Sequence, residues 1–432
     1  MRKQINFITL GCSKNVVDSE KLMARLRRGG YTLLHDSSDT SAKIVVINTC
    51  GFITEAKEES VNTILEFAEA KRRGDIEKLF VFGCLAERYK DDLRKEIEEV
   101  DEFFGVSSFD DILTAVGVPH VQAPAGERLL TTSGHYAYLK ISEGCNRSCS
   151  YCAIPLIRGK HVSTPIEALV DEARLLAGKG VKELIAVAQD STFYGVDIYG
   201  KRRLAALLGA LSEVDGIEWI RLHYAYPSQF PADVIDVLRD NGKLCKYLDI
   251  PFQHVSNTVL KNMRRGVSRR QTYELIDKLR SRAPGIALRT TLMVGHPGED
   301  ETAFAELMDF VREVKFERLG VFTYSEEEGT YGATRFKDAL SPEEKQQRAN
   351  AVMKLQAEIS ASLNMEKVGK TFKVMLDRKE GSYYVGRTEF DSPEVDGEAL
   401  ITSDKPLSIG HFYNVKITST DDFDLYGTAE KF

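Results

Sequence analysis

No apolar run in this chain approaches the ~20 residues that a membrane-spanning helix needs. Internal repeats and low-complexity tracts are absent too, which excludes a solenoid or a largely disordered chain. Positive charge is not in surplus: 58 Lys and Arg face 65 Asp and Glu, for a net charge of −7. The whole molecule is therefore no basic nucleic-acid binder, although a local basic groove stays open. The first residues, "MRKQINFITLGC", lack a signal-peptide core, because their apolar run is about six residues against the ~7–15 required and contains Asn6. They read as a first β-strand. A cytosolic location is expected, where thiols stay reduced. The seven cysteines then read as ligands, nucleophiles or core residues rather than disulfides.

What is present is ordinary globular composition, 43% hydrophobic and 28% charged over 432 residues, enough for two to four domains. The first hundred residues alternate strand and helix patterns. "INFITL" (5–10), "KIVVINT" (43–49) and "KLFVFG" (78–83) read as strands. A helix over 17–28, the amphipathic "EAKEESVNTILEFAEAKRRG" and a charged third helix lie between or after them. Short, continuously apolar strands separated by helices imply a parallel α/β sheet. Cys12, Cys50 and Cys84 each fall one or two residues past the end of one of these strands. That edge of an open parallel sheet forms the ligand crevice, so the three thiols meet there if the strands are neighbours. Three buried core cysteines are the alternative, but core cysteines belong within strands, and these lie in the loops after them.

A looser stretch, "VGVPHVQAPAGERLL", reads as a linker. From residue 136 a second series begins, with strands over 136–142, 183–189, 219–225, 247–253, 286–295 and 319–325. Helical patterns at 165–179, 231–240, 268–282 and 299–313 separate them. About six βα units fall short of the eight of a closed barrel, so a partial, open βα barrel is expected, with its site at the strands' carboxyl ends. A helix-like stretch at 342–366 leads to short β-like runs from Thr371 onward, the pattern of a small all-β barrel. Residues 370–432 hold eight Lys and Arg against twelve Asp and Glu, a net charge of −4. The expected division is an N-terminal α/β domain (1–120), a partial-barrel core (131–365) and a C-terminal β-barrel (366–432).

"EGCNRSCSYC" (143–152) places Cys145, Cys149 and Cys152 at the start of the second series. Four thiolates saturate a zinc ion or an iron–sulfur cube, whereas three leave one iron of a 4Fe-4S cube without a protein ligand. A zinc reading needs a fourth ligand, and the nearest histidines, His135 and His161, lie about ten residues away. Spacing alone leaves zinc open, and the iron–sulfur reading is the stronger.

C-x3-C-x2-C after a strand of a partial barrel, with Tyr151 before the last cysteine, resembles the radical S-adenosylmethionine enzymes. The resemblance implies that the open iron binds S-adenosylmethionine and that its one-electron cleavage yields a hydrogen-abstracting 5′-deoxyadenosyl radical. With the second trio, Cys12, Cys50 and Cys84, and the terminal barrel, the chain resembles the methylthiotransferases over nearly its whole length. The barrel corresponds to their TRAM module. This implies two 4Fe-4S clusters, and S-adenosylmethionine as both methyl donor and radical source. "LGCSKNVVDSE" (10–20) and "CSYCAIPLIRG" (149–159) resemble the branch that acts on the β-carbon of an aspartate in small-subunit ribosomal protein S-twelve. The tRNA-modifying branch typically has Gln-Met in place of Ser13-Lys14. Ser163-Thr164-Pro165 departs from that branch's usual Ser-Arg-Pro. The implied partners are the ribosomal protein, alone or in the ribosome, and an electron donor such as a flavodoxin or ferredoxin. No membrane partner is implied, and nucleic acid is not the modified substrate. The acidic tail points the same way, since it attracts a basic protein and repels RNA. A tRNA adenosine methylthiotransferase is the near rival, and a non-catalytic metal or redox module would need closed four-ligand sites.

Other residues carry two readings each. Gln189 and Asp190 end a core strand and contact cofactor or substrate, or Asp190 caps the next helix with Ser191. Gly295, Pro297 and Gly298 in "LMVGHPGE" resemble the family's glycine-rich cofactor contact, or form a plain turn. Arg221, His223, Tyr224 and Tyr226 point to the barrel mouth, and some line it, while His223 and His254 read first as hydrogen-bonded structural histidines. Cys245 is assigned to packing between a helix and a strand. The charge runs 55–59 and 342–348 read as solvated helix faces.

Overall fold

The computed structural model describes residues 4–37, 42–118, 121, 123–124 and 126–430. Four positions of the expected linker, 119, 120, 122 and 125, lie outside the described residues.

The first sheet contains β1 (Gln4–Thr9), β2 (Thr32–His35), β3 (Ile44–Thr49), β4 (Lys78–Gly83) and β5 (Glu102–Phe103). All pairs are parallel, in the order β2-β1-β3-β4-β5. The continuous apolar runs arise because both faces are covered. Ile5, Phe7, Val46 and Phe80 turn to Leu22, Met23 and Leu26 of the helix Ser13–Arg28. The alternate positions Val45, Ile47, Leu79 and Val81 turn to Ile64 and Ala68 of the helix Thr54–Arg72. Because β1, β3 and β4 are neighbours, the chain segments that carry Cys12, Cys50 and Cys84 leave the sheet side by side.

The second sheet starts with β6 (Tyr136–Lys140). A short antiparallel pair, β7 (Ser142–Glu143) and β8 (Val162–Ser163), frames the three-cysteine loop. Five further strands follow: β9 (Glu183–Val187), β10 (Trp219–Leu222), β11 (Leu244–Asp249), β12 (Ala287–Val294) and β13 (Arg318–Thr323). The order β13-β12-β11-β10-β9-β6 follows the sequence, and every pair is parallel. Six βα units thus make an open half-barrel. Its outer face, including Leu139, Leu184, Leu222, Leu248 and Leu288, packs on the surrounding helices. Its inner face is partly polar and receives two other parts of the chain. The helix Ser13–Arg28 lays Val16 and Val17 on Tyr136, Tyr138, Ile185 and Val187. At the opposite end, the C-terminal barrel closes the floor.

That barrel is formed by β14 (Thr371–Glu380), β15 (Tyr383–Thr388), β16 (Ala399–Thr402), β17 (Phe412–Thr420) and β18 (Leu425–Ala429), closed in the order β14-β15-β16-β18-β17. Val374, Leu376, Ile401, Val415 and Ile417 fill it. Residues of β15 and of the loop between β15 and β16 enter the half-barrel and pair its buried charges. Glu183 accepts from Arg221 at 2.8 Å and also pairs with Arg387. Asp396 accepts from Tyr247 at 2.8 Å and from Arg289 at 3.3 Å, and Arg318 Nε donates to Asp391 at 3.1 Å. Trp219 meets Phe412 edge-on with ring centroids 4.7 Å apart.

The structure corrects several expectations. The four-residue β2, the two-residue β5 and the last strand β18 were absent from the sequence pattern, because each is short and borrows its partners from distant residues. Cys84 is not in a loop but opens the helix Cys84–Glu96, and Cys12 lies three residues past β1. β11 begins at Leu244, so Cys245 sits within a strand, packed among Trp219, Tyr247, Ala287 and Met375. The run 342–348 is not wholly solvated. Lys345 is buried and donates to Tyr324 O at 3.0 Å, and buried Arg348 donates to Glu299 at 2.6 Å.

Candidate functional site

Three strand-to-helix turns of the first sheet bring the N-terminal thiols together. Gly11 has φ +92°, and a Cβ there would sit 2.7 Å from Cys50 Cβ, so the first turn can lie on the second only without a side chain. Gly51 lies equally close to the third turn, where a Cβ would meet Leu85 N at 2.7 Å. Cys84 Sγ donates to Asn15 Oδ1 over 3.8 Å. Burial raises the thiols of Cys50 and Cys84, the latter to about 11. Burial also opposes a Cys12 thiolate, but Lys14, Arg158 and the backbone N–H groups of Asn15 and Lys14 outweigh it and lower that thiol. The set combines one acidified thiol with two that stay protonated until a metal displaces the proton.

The second trio lies beyond the carboxyl end of β6. Gly144 has φ +68°, and a Cβ there would meet Lys160 O at 2.2 Å, which fixes the sharp entry to the loop. Arg147 N donates to Cys145 Sγ at 3.4 Å, Arg265 Nη1 to Cys149 Sγ at 3.6 Å, and Tyr226 OH lies 3.5 Å from Cys149 Sγ. Burial raises Cys145 to about 11 and Cys152 further. Arg147 and Arg265 stack on Tyr226 at 4.0 and 4.2 Å. Cationic donors around thiol sulfur suit an anionic thiolate cluster.

Arg158, six residues after Cys152, joins the trios. Its side chain is only 2% exposed. It donates to Asn15 Oδ1 at 2.6 Å, Asp18 at 2.9 Å and Glu143 at 3.0 Å. Lys140 pairs with the same two carboxylates. Asn15 Oδ1 therefore accepts from Cys84 on one side and from the core's arginine on the other. Lys14, buried beside Cys12, rests 3.3 Å above the Tyr224 ring.

The remaining predicted residues take separate places. Gln189 donates to Glu143 at 3.1 Å, while its buried Oε1 has no hydrogen-bond partner. Arg147 Nη2, near by, is likewise buried and unpartnered, though Arg147 Nε binds Asp190 at 2.7 Å. Asp190 also caps the turn after it through Thr192 N at 3.0 Å, the capping role of its two readings. Tyr151 OH accepts from Arg265 at 3.3 Å. The Gly295–Gly298 turn braces the loop from behind: His296 lies 3.0 Å from Ser150 Oγ, Pro297 O accepts from Asn262, and Gly295 N donates to Glu299. His223 binds Ser392 and His254 binds Glu299, both structural. His135 is held by Asp377 at 2.7 Å and His161 by Ser163 at 2.9 Å, so neither joins the cysteines. Among the described residues no three His, Cys, Asp or Glu side chains close on a single metal ion. A cube, in which each thiolate takes a different iron, fits these donors, and the orphaned Gln189 oxygen and Arg147 nitrogen fit a polar cofactor beside it. Sequence patterning missed Lys14, Arg158 and Arg265, because each acts across elements distant in the chain.

Comparison with known proteins agrees with this architecture. Residues 4–105 match an uncharacterised protein family, UPF0004, residues 139–311 the Radical SAM superfamily and residues 368–429 the TRAM domain. The chain is 56% identical to ribosomal protein uS12 methylthiotransferase RimO of Phocaeicola vulgatus, covering 99% of each. It is 55% identical to the protein of that name from Bacteroides thetaiotaomicron, covering 98% of each. Among solved structures, the radical S-adenosylmethionine methyltransferase TsrM of Kitasatospora setae superposes with a TM-score of 0.59 at 15% identity. That match covers 77% of this chain and 74% of TsrM, a likeness of fold. On these matches, the chain is a radical S-adenosylmethionine enzyme and belongs to the uS12 methylthiotransferase family.

Proposed function

We propose that this enzyme inserts a methylthio group at the β-carbon of an aspartate in ribosomal protein uS12, in the cytoplasm, with two 4Fe-4S clusters. Cys145, Cys149 and Cys152 hold one cluster, and Cys12, Cys50 and Cys84 hold the other. When bound, the clusters and S-adenosylmethionine supply the one-electron sulfonium cleavage, the hydrogen-abstracting radical, the sulfur and the methyl group. The observation that supports the reading is the buried Arg158 bridge, which ties Asn15 and Asp18, just after Cys12, to Glu143 at the start of the second cysteine loop.

The chain's own residues do the positioning. Arg147 Nη2 and Gln189 Oε1, a donor and an acceptor without partners, orient the cofactor's polar groups. Arg265 and Tyr151 hold Cys149 in place, and the Gly295–Gly298 turn with Pro297 keeps the loop from shifting. Val16, Val17 and the Tyr136–Tyr138 pair exclude water from one side. The acidic C-terminal barrel attracts a basic ribosomal protein, and a flavodoxin or ferredoxin supplies electrons. In this reading residues 1–120, 131–365 and 366–432 carry sulfur delivery, radical formation and docking.

Anaerobic reconstitution should give about eight irons per chain. With S-adenosylmethionine, reductant and uS12, mass spectrometry should show a methylthio adduct on aspartate. Replacing Cys12, Cys50 and Cys84 by alanine should halve the iron, keep S-adenosylmethionine cleavage and abolish the adduct. Adduct on tRNA alone, or only about four irons in the unaltered protein, refutes the assignment.

A further inference from the structure

Two buried cations beside the trios have no carboxylate partner among the described residues: Arg265, which donates to Cys149, Tyr151 and Pro251 O, and Lys14. Buried Arg158 and Arg128 and half-buried Lys140 are each matched to acidic side chains within the protein. Lys14 is 7% exposed and makes no ion pair among the described residues. Its ammonium rests on the Tyr224 ring, 3.3 Å from the centroid. Withdrawing an ammonium from water without an anionic partner is strongly unfavourable, and an aromatic face offsets only part of that.

Tyr224 is itself held in an uncommon conformation. Its φ is +59°, in the left-handed region that a bulky side chain rarely enters. Both ends of the residue are pinned. Its N–H donates to Asp249 Oδ2 at 3.0 Å, and its carbonyl accepts from Ser191 N and Oγ, each at 3.1 Å. Backbone strain of this kind persists where surrounding contacts enforce it, and here it presents the ring to Lys14. Lys14 is also in the first turn of the 16-residue helix Ser13–Arg28, whose positive end faces the same space. Lysine and ring come from different domains and meet only beside the trios.

We propose that Lys14, seated on Tyr224, is the carboxylate-binding residue that selects an acidic target side chain. The inference rests on the reading above that the target is an aspartate. Within the protein the acidic neighbour of Lys14 is the Cys12 thiol, and the substrate supplies the carboxylate partner that Lys14 lacks, which holds the neighbouring β-carbon beside the trios. Lys14 is thus a specificity residue, and no proton transfer is assigned to it.

The test crosses enzyme and substrate changes. Full-length protein, Lys14→Met and Lys14→Arg are reconstituted and assayed on uS12 and on uS12 with the target aspartate changed to asparagine. Dissociation constants are measured as well as kcat/KM. The parent enzyme should prefer aspartate by about ten- to a hundredfold, the range for one charge-assisted hydrogen bond. Lys14→Met should lose that factor on aspartate only, while Lys14→Arg keeps most of it. Iron content and S-adenosylmethionine cleavage without substrate are measured in parallel, because Lys14 also lowers the Cys12 thiol. Equal losses on both substrates, an undiminished preference, or loss of iron would overturn the proposal, the last by making Lys14 a counter-charge to the thiolates. A parent enzyme that modifies neither protein sinks the substrate assignment itself, and the inference with it.

Discussion

Replacing Arg158 by methionine removes a buried cation while keeping most of its volume. Three acceptors each lose one of their donors: Asn15 Oδ1, Asp18 and Glu143. Breaking a buried ion pair from one side costs ~3–5 kcal/mol, since the partner stays buried and uncompensated. Lys140 still faces both carboxylates, so the low end applies, about 3 kcal/mol. At ~2–4 °C per kcal/mol for a unit of this size, the melting point should fall by roughly 6–12 °C. Calorimetry on metal-free, fully reduced protein isolates this from cluster loss. Adding Asp18→Asn should cost less in the Arg158→Met background than alone, because one partner of the pair is already gone. Arg72, exposed and paired with Glu69 and Glu99, serves as control, and Arg72→Met should barely move the transition. The bridge is refuted if Arg158→Met melts like Arg72→Met, or if its effect and that of Asp18→Asn simply add.

Three further outcomes are expected. Gly11→Ala should displace Cys50 and lower bound iron towards half, since the new Cβ falls 2.7 Å from Cys50 Cβ; full iron loading would contradict the close turn. Acid should release the C-terminal barrel. Burial opposes ionisation of Glu183, Asp377 and Asp391, yet Arg387, Arg221 and Arg318 hold all three below the usual carboxylate range. Their stabilisation is therefore present at neutral pH and lost as pH falls below about 4 through the lowered values. Trp219, the single tryptophan, touches barrel residue Phe412, so its emission should stay constant from neutral pH to about 5 and change below about 4. A midpoint well above that would show that other groups control docking. Finally, Tyr224→Gly should relieve the backbone strain but weaken aspartate binding; unchanged binding would argue that the ring does not seat Lys14.

Strand ends, apolar runs and cysteine spacing made much of this molecule legible. The alternation of strands and helices revealed both parallel sheets, and the positions of Cys12, Cys50 and Cys84 just past strands indicated a shared edge. Short edge strands such as Thr32–His35 escaped because their pairing comes from another part of the chain. Charge patterning misled at Lys345 and Arg348, which look like solvent-facing residues but find buried acceptors on distant loops. Arg158 and Lys14 stand in motifs that the sequence displays, but their contacts were hidden for the same reason. Their meaning lies in partners 143 and 210 positions away, which no local period encodes.

The barrel that floors the half-barrel also imposes an order in time. During synthesis the strands bearing Glu183, Arg221, Arg289 and Arg318 emerge well before Arg387, Asp391 and Asp396. Until those later residues arrive, the nascent core keeps an interior of hydrated, incompletely matched charges. Polarity there keeps the unfinished core wet and disfavours sticky collapse. Maturation becomes a late drying step, in which the last segment expels water and locks the interior.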